Sequence, residues 1–99
     1  MGTRLIADGG TAVDPTDRPA VRDHLRRFAG DSAVETGDDG TLRVTFGRST
    51  FVAVAPDGTV TTGMPLHGFD GRADQLRFDH DAGELHVRAD EMTYTFRRP

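Results

Sequence analysis

The spacing of apolar residues along this 99-residue chain changes once, at Gly30. Ahead of it, Val21, Leu25 and Phe28 recur at i, i+4 and i+7 with Ala29 beside them, which is the spacing of one helix face. Arg22, Asp23, Arg26 and Arg27 occupy the other side. Thr16 or Asp17 can cap the start, and Pro19 fits only in a first turn. Gly30 supplies a left-handed stop, and Arg26 and Arg27 lie where the helix dipole favours cations. The pattern predicts one helix over 17–29.

Beyond Gly30 the period falls to two. Leu42, Val44 and Phe46 share one parity, as do Leu76 with Phe78, Leu85 with Val87, and Met92, Tyr94 with Phe96. Asp38-Asp39-Gly40, Pro56-Asp57-Gly58 and Asp81-Ala82-Gly83 punctuate the runs as hairpin turns do. Strands are expected near 32–37, 41–47, 49–55, 59–63, 75–80, 84–89 and 92–97. The connections are too short for parallel crossovers. The fold class that follows is α+β: one N-terminal helix packed on a curved antiparallel β-meander of about six strands. Residues 1–16 form a leader with at most one short edge strand, at Thr3–Ala7, and 17–99 form a single domain.

Phe51 through Ala55 breaks the alternation, being apolar on both faces. A strand covered on one side only would alternate. Something therefore covers its second face: a curl of the sheet, the N-terminal segment, or a second copy of the chain.

Composition narrows the setting. Leu, Ile, Val and Phe total twenty-one residues, enough for a thin core but close to the ~20% associated with disorder. The formal net charge is only −4, which favours folding. All twelve basic residues are arginine, and thirteen of the sixteen acids are aspartate. In this the chain resembles small cytosolic proteins of haloarchaea. The resemblance is one of composition, spans the whole chain and carries no activity or site residue over; a high-GC actinobacterial source would give the same arginine bias.

The chain has no cysteine, which excludes disulfides and thiolate metal sites. Its longest apolar run, Phe51–Ala55, is far below the ~18 residues of a membrane span. No signal-peptide core is recognisable, so a cytoplasmic protein with no membrane contact is expected. Negative charge opposes binding to bulk nucleic acid. No phosphate loop, nucleophile elbow, HExxH or dinucleotide fingerprint occurs, and no cofactor is expected.

Two groups of residues retain candidate chemistry. Arg43, Arg77, His86, Arg88 and Arg97 share the outward parity of the strands and form a candidate anion-binding face. Asp79 and Glu84 share that parity and can neutralise the row by cross-strand pairing. The stretch 64–74 reads as the longest loop, where His67 and Asp70 can act as an acid/base pair and Arg72 can hold an anion. Asp79-His80-Asp81 is too short a ligand series for calcium, and the four histidines are scattered, so no metal site is expected. The expectation is a small non-enzymatic protein that acts by association, as a homodimer or with a protein partner. The alternatives are an anion- or nucleic-acid-associated accessory protein using the arginine face, and a small hydrolase or ligand binder built on 64–74.

Overall fold

Asp17 opens the helix by accepting the Ala20 N–H at 3.3 Å, Pro19 lies in its first turn, and Gly30 (φ 63°) ends it. The computed structural model describes residues 10–30, 32–47, 49–64 and 67–99 and places this helix, α1, at Arg18–Ala29. Its last turn is held from the far end of the chain. Arg98 donates to the Phe28 carbonyl at 2.9 Å, and its guanidinium lies 5.4 Å from the centre of the Phe28 ring. The arrangement satisfies an orphan helix carbonyl and places a cation at the negative end of the dipole.

Nine strands follow the two-residue period: β1 (Thr11–Val13), β2 (Val34–Thr36), β3 (Leu42–Thr45), β4 (Phe51–Val54), β5 (Thr59–Gly63), β6 (Gly68–Arg72), β7 (Gln75–Asp79), β8 (Glu84–Ala89) and β9 (Met92–Arg97). All neighbours pair antiparallel. The class is α+β as expected, but the strands exceed six and divide into two sheets, ordered β2-β3-β4-β5-β6 and β1-β7-β8-β9. The expected strand at Thr3–Ala7 lies outside the described residues. The edge strand of the leader is Thr11–Val13, paired with β7.

The stretch 64–74 is not simply a loop, because β6 lies within it. Gly68 and Gly71 blur the alternation, and Phe69 is its single large apolar side chain. Backbone pairing with β5 across five residue pairs makes it a strand. Phe69 packs on the core as expected, whereas Leu66 lies outside the described residues.

Aspartates make the turns. The carboxylates of Asp14, Asp39 and Asp57 accept the N–H of Thr16, Thr41 and Thr59 at 2.9, 3.0 and 2.9 Å. Each acceptor lies two residues before its donor, an Asx-turn. These N–H groups hold all three carboxyls below the ordinary aspartate value.

One buried cluster joins the helix to both sheets. Val21, Leu25 and Phe28 of α1 are fully buried, as are Leu42, Val44, Leu76, Phe78, Leu85, Val87 and Phe96. Phe28 is central: its ring lies 5.9 Å from Phe46, 5.8 Å from Phe78 and 6.0 Å from Phe96. It thus touches rings that follow β3, sit on β7 and sit on β9. The helix backbone itself runs closest to β2 and β3.

On its other flank α1 presents His24, whose ring lies nearly parallel to those of Phe78 and His80 in a mutual cluster of three, with His24 Nδ1 2.9 Å from His80 Nε2. His80 Nδ1 is buried without a partner. A neutral ring that donates through Nε2 leaves only a lone pair there; a charged ring would bury a bare N–H. Burial first, then the positive charge of Arg27, then His24 and Arg98, push the His80 pKa down, with Asp79 opposing.

Phe28→Ala should cost about 3–5 kcal/mol, read from urea unfolding, because it removes the ring common to both sheets. His80 adds a pH dependence. Its native pKa lies below 6.5, so the unfolded chain binds the proton more readily. Its stabilising contribution is complete above pH 6.5 and is lost as pH falls from there through the lower native value. The unfolding midpoint should therefore fall from pH 7.5 to about pH 5, above the range where most carboxylates titrate. His80→Gln should flatten that slope.

Candidate functional site

The outer face of β7, β8 and β9 gathers most of the candidate side chains. The register sets three cross-strand rows: Asp79–Glu84–Arg97, Arg77–His86–Thr95 and Gln75–Arg88–Thr93. Strand alternation turns all of them away from Leu76, Phe78, Leu85, Val87 and Phe96, which are buried.

Glu84 organises the first end of this face. Its carboxylate accepts from Arg97 Nε at 3.0 Å and lies 3.4 Å from His86 Nε2. On its other side, His86 Nδ1 lies 2.9 Å from the Thr95 hydroxyl. Asp79, the second acid of the row, turns its carboxylate to the Ala82 N–H at 3.1 Å. Glu84 is therefore the acid of this row that meets both Arg97 and His86.

The loop histidine meets this face. His67 Nδ1 lies 2.9 Å from the Tyr94 hydroxyl, and the two rings meet edge-on. His67 lines a depression of about 350 Å³ with Met64, Glu84, His86, Thr95 and Arg97. The structure thus brings His67 together with His86 and Arg97, a grouping the sequence did not suggest. The other two loop candidates go elsewhere. Asp70 accepts from the Thr61 hydroxyl at 3.3 Å, and Arg72 lies 3.7 Å from Asp57. His67 and Asp70 have separate partners rather than each other.

Arg43 also stands apart, on the β2–β6 sheet. Its guanidinium lies 4.3 Å from the centre of the Phe51 ring, a cation–π contact. Arg77 and Arg88 remain with Gln75, His86, Thr93, Asp90 and Glu91 around a second depression, of about 490 Å³.

Thr95, His86 and Glu84 form a hydroxyl–imidazole–carboxylate chain, the connectivity of an activated nucleophile. The carboxylate is divided between the Arg97 guanidinium and the His86 ring, and the three residues are also ordinary cross-strand and same-strand neighbours. The arrangement accounts for itself as a neutralised surface network. Glu84 and Thr95 were legible on the outward parity; the counterpart of His67, Tyr94, was not, because core parity conceals a hydroxyl at its tip. The His24–His80 contact was hidden as well, since a helix and a strand end separated by 56 positions supply it. Among the described residues, no three His, Cys, Asp or Glu side chains come together as a metal site would require, and no helix is long and apolar enough to cross a membrane.

The Glu84–Arg97 pair should couple weakly, since the Arg97 side chain is 74% exposed. A double-mutant cycle with Glu84→Ala and Arg97→Ala, read from unfolding midpoints, should return below about 1 kcal/mol.

Comparison with protein-family models, with curated proteins and with solved structures finds no match to this chain.

Proposed function

We propose that this protein acts by association, and that its contact element is the edge of β9, unpaired among the described residues, which pairs with β9 of a second copy. The observation that carries this reading is an unblunted six-residue edge. β1 and β2 are three residues long, and β6 carries Gly68, Gly71, Asp70 and Arg72. β9 reads Met-Thr-Tyr-Thr-Phe-Arg, with no proline or glycine and one charge, at its end. Sheet edges are ordinarily protected by shortness, charge, proline or bulges.

The hydrogen-bond phase identifies which groups are on offer. Arg98 N–H donates to the Gly83 carbonyl at 2.8 Å, just past the Arg97–Glu84 pair. Antiparallel bonding alternates, so Phe96, Tyr94 and Met92 direct their backbone groups to β8. Thr93, Thr95 and Arg97 direct theirs away from it. Two copies can then pair about Thr95, with Thr95 facing its own copy and Thr93 facing Arg97 of the other. This register joins two four-stranded sheets into one of eight and sets no like charges opposite each other. Met92, 53% exposed, stands at the end of the same strand. Backbone pairing supplies the attraction in such strand addition.

The expected state is a dimer by light scattering that dissociates on dilution. Thr93→Pro removes an N–H that β8 does not use, so the fold should persist by circular dichroism while the dimer weakens at least ~10-fold. A wild-type chain that stays monomeric up to its solubility limit, or a Thr93→Pro chain that dimerises as tightly, would overturn the reading.

A further inference from the structure

We infer that Arg77 and Arg88 hold a small oxyanion, a carboxylate or phosphate, in the depression on the outer face of β7 and β8. Of the other described arginines, Arg22, Arg26 and Arg27 lie on α1 with no ion pair or side-chain hydrogen bond among the described residues, and the rest are engaged. Arg18 donates to the Gly40 carbonyl, Arg43 lies over Phe51, Arg72 faces Asp57, Arg97 binds Glu84 and Arg98 binds the Phe28 carbonyl. Among the described residues, Arg77 and Arg88 are the strand arginines with no ion pair, side-chain hydrogen bond or cation–π contact.

Their positions bring them together. Arg77 faces His86, and Arg88 lies two residues further along the same strand, making the two arginines diagonal neighbours. Such positions are about 7–8 Å apart, within reach of two long side chains that share one ligand. Like charges on neighbouring strand positions repel, and an anion held between them offsets that repulsion. Both line the same depression of about 490 Å³, where Gln75 and Thr93 add an amide and a hydroxyl. Guanidiniums hold carboxylate and phosphate oxygens through paired N–H groups.

The acids around the site set its size. Asp90 and Glu91 line one end of the depression, and Glu84 stands on the next row beyond Arg77 and His86. A compact anion fits between these carboxylates. A nucleic-acid backbone would run over them and be repelled, which also suits the net charge of −4. Arg77 and Arg88 themselves stand on β7 and β8, away from the β9 edge, and Thr93 is the lining residue that the two surfaces share.

The test uses the whole chain at constant, low ionic strength in chloride. Inorganic phosphate and acetate are titrated separately, followed by the Nε–H signals of Arg77 and Arg88 in nuclear magnetic resonance. We expect saturable binding of at least one of them with a millimolar dissociation constant. The two titrations separate a preference for phosphate from one for carboxylate. The double variant Arg77→Gln/Arg88→Gln should weaken binding at least ~10-fold, as expected when two charged ligating groups are removed. Arg43→Gln, on the other sheet, should leave it unchanged. Absence of saturation with both anions, equal binding by the double variant, or a single-stranded oligonucleotide that binds ~10-fold more tightly per phosphate would overturn the proposal.

Discussion

Burial of one aromatic ring between two sheets is the constraint on which the architecture depends. Phe28 comes from the single helix, and its ring neighbours come from both sheets. Neither sheet is large enough to enclose a core alone. The inner face of the β1-β7-β8-β9 sheet offers Val13, Leu76, Phe78, Leu85, Val87 and Phe96, and that of the five-stranded sheet offers Leu42, Val44, Val52, Val54 and Val60. Phe28, Leu25 and Val21 make these two apolar surfaces continuous. The stacked His24 and His80 extend the same layer, and burial there lowers the pKa of His80. A thin apolar supply of twenty-one Leu, Ile, Val and Phe residues is sufficient because three layers share it.

The arginines complete what the apolar residues leave open. Each use depends on a flat, multidonor cation. Arg98 closes the helix C-terminus and covers Phe28 with the same group. Arg43 lies over Phe51, and Arg97 pairs with Glu84 across β8 and β9. Lysine, a strongly hydrated point charge, would serve these positions less well. The absence of lysine is therefore structurally consequential, even though individual exposed pairs contribute little.

The helix, its caps and the inward side of the strands were legible because each rests on local spacing. Asp17, Pro19 and Gly30 fixed α1 to within a residue. Leu42, Leu76, Leu85 and Phe96 lay on the buried face that alternation assigned them. What escaped was set by distant partners. β6 owes its existence to pairing with β5, not to its own Gly-rich sequence. The split into two sheets turns on Ala73 and Asp74, whose N–H groups donate to the carbonyl of Gly58, in the turn before β5, and to that of Arg88, on β8 of the other sheet. Alternation is blind to that division, because side-chain parity is the same in one sheet or two. For the same reason Arg43 seemed to belong to the row of Arg77 and Arg88. The candidate site was legible as a face but not as a set of contacts.

The two-sided strand shows how such a division redirects a functional argument. Val52 and Val54 point into the core, and Phe51 and Ala53 point out, an arrangement that by sequence invites a covering partner. The chain covers part of that face itself. The Phe51 ring lies over Gly63, where any side chain would collide with it, and Arg43 closes over the ring from the neighbouring strand. An aromatic laid across a cross-strand glycine fills the missing surface, and Ala53 is left 7% exposed. With that face occupied from within, the apolar character of β4 no longer requires a second copy. The case for association passes instead to backbone groups of β9, whose side chains are half polar and whose open edge no hydropathy pattern could reveal.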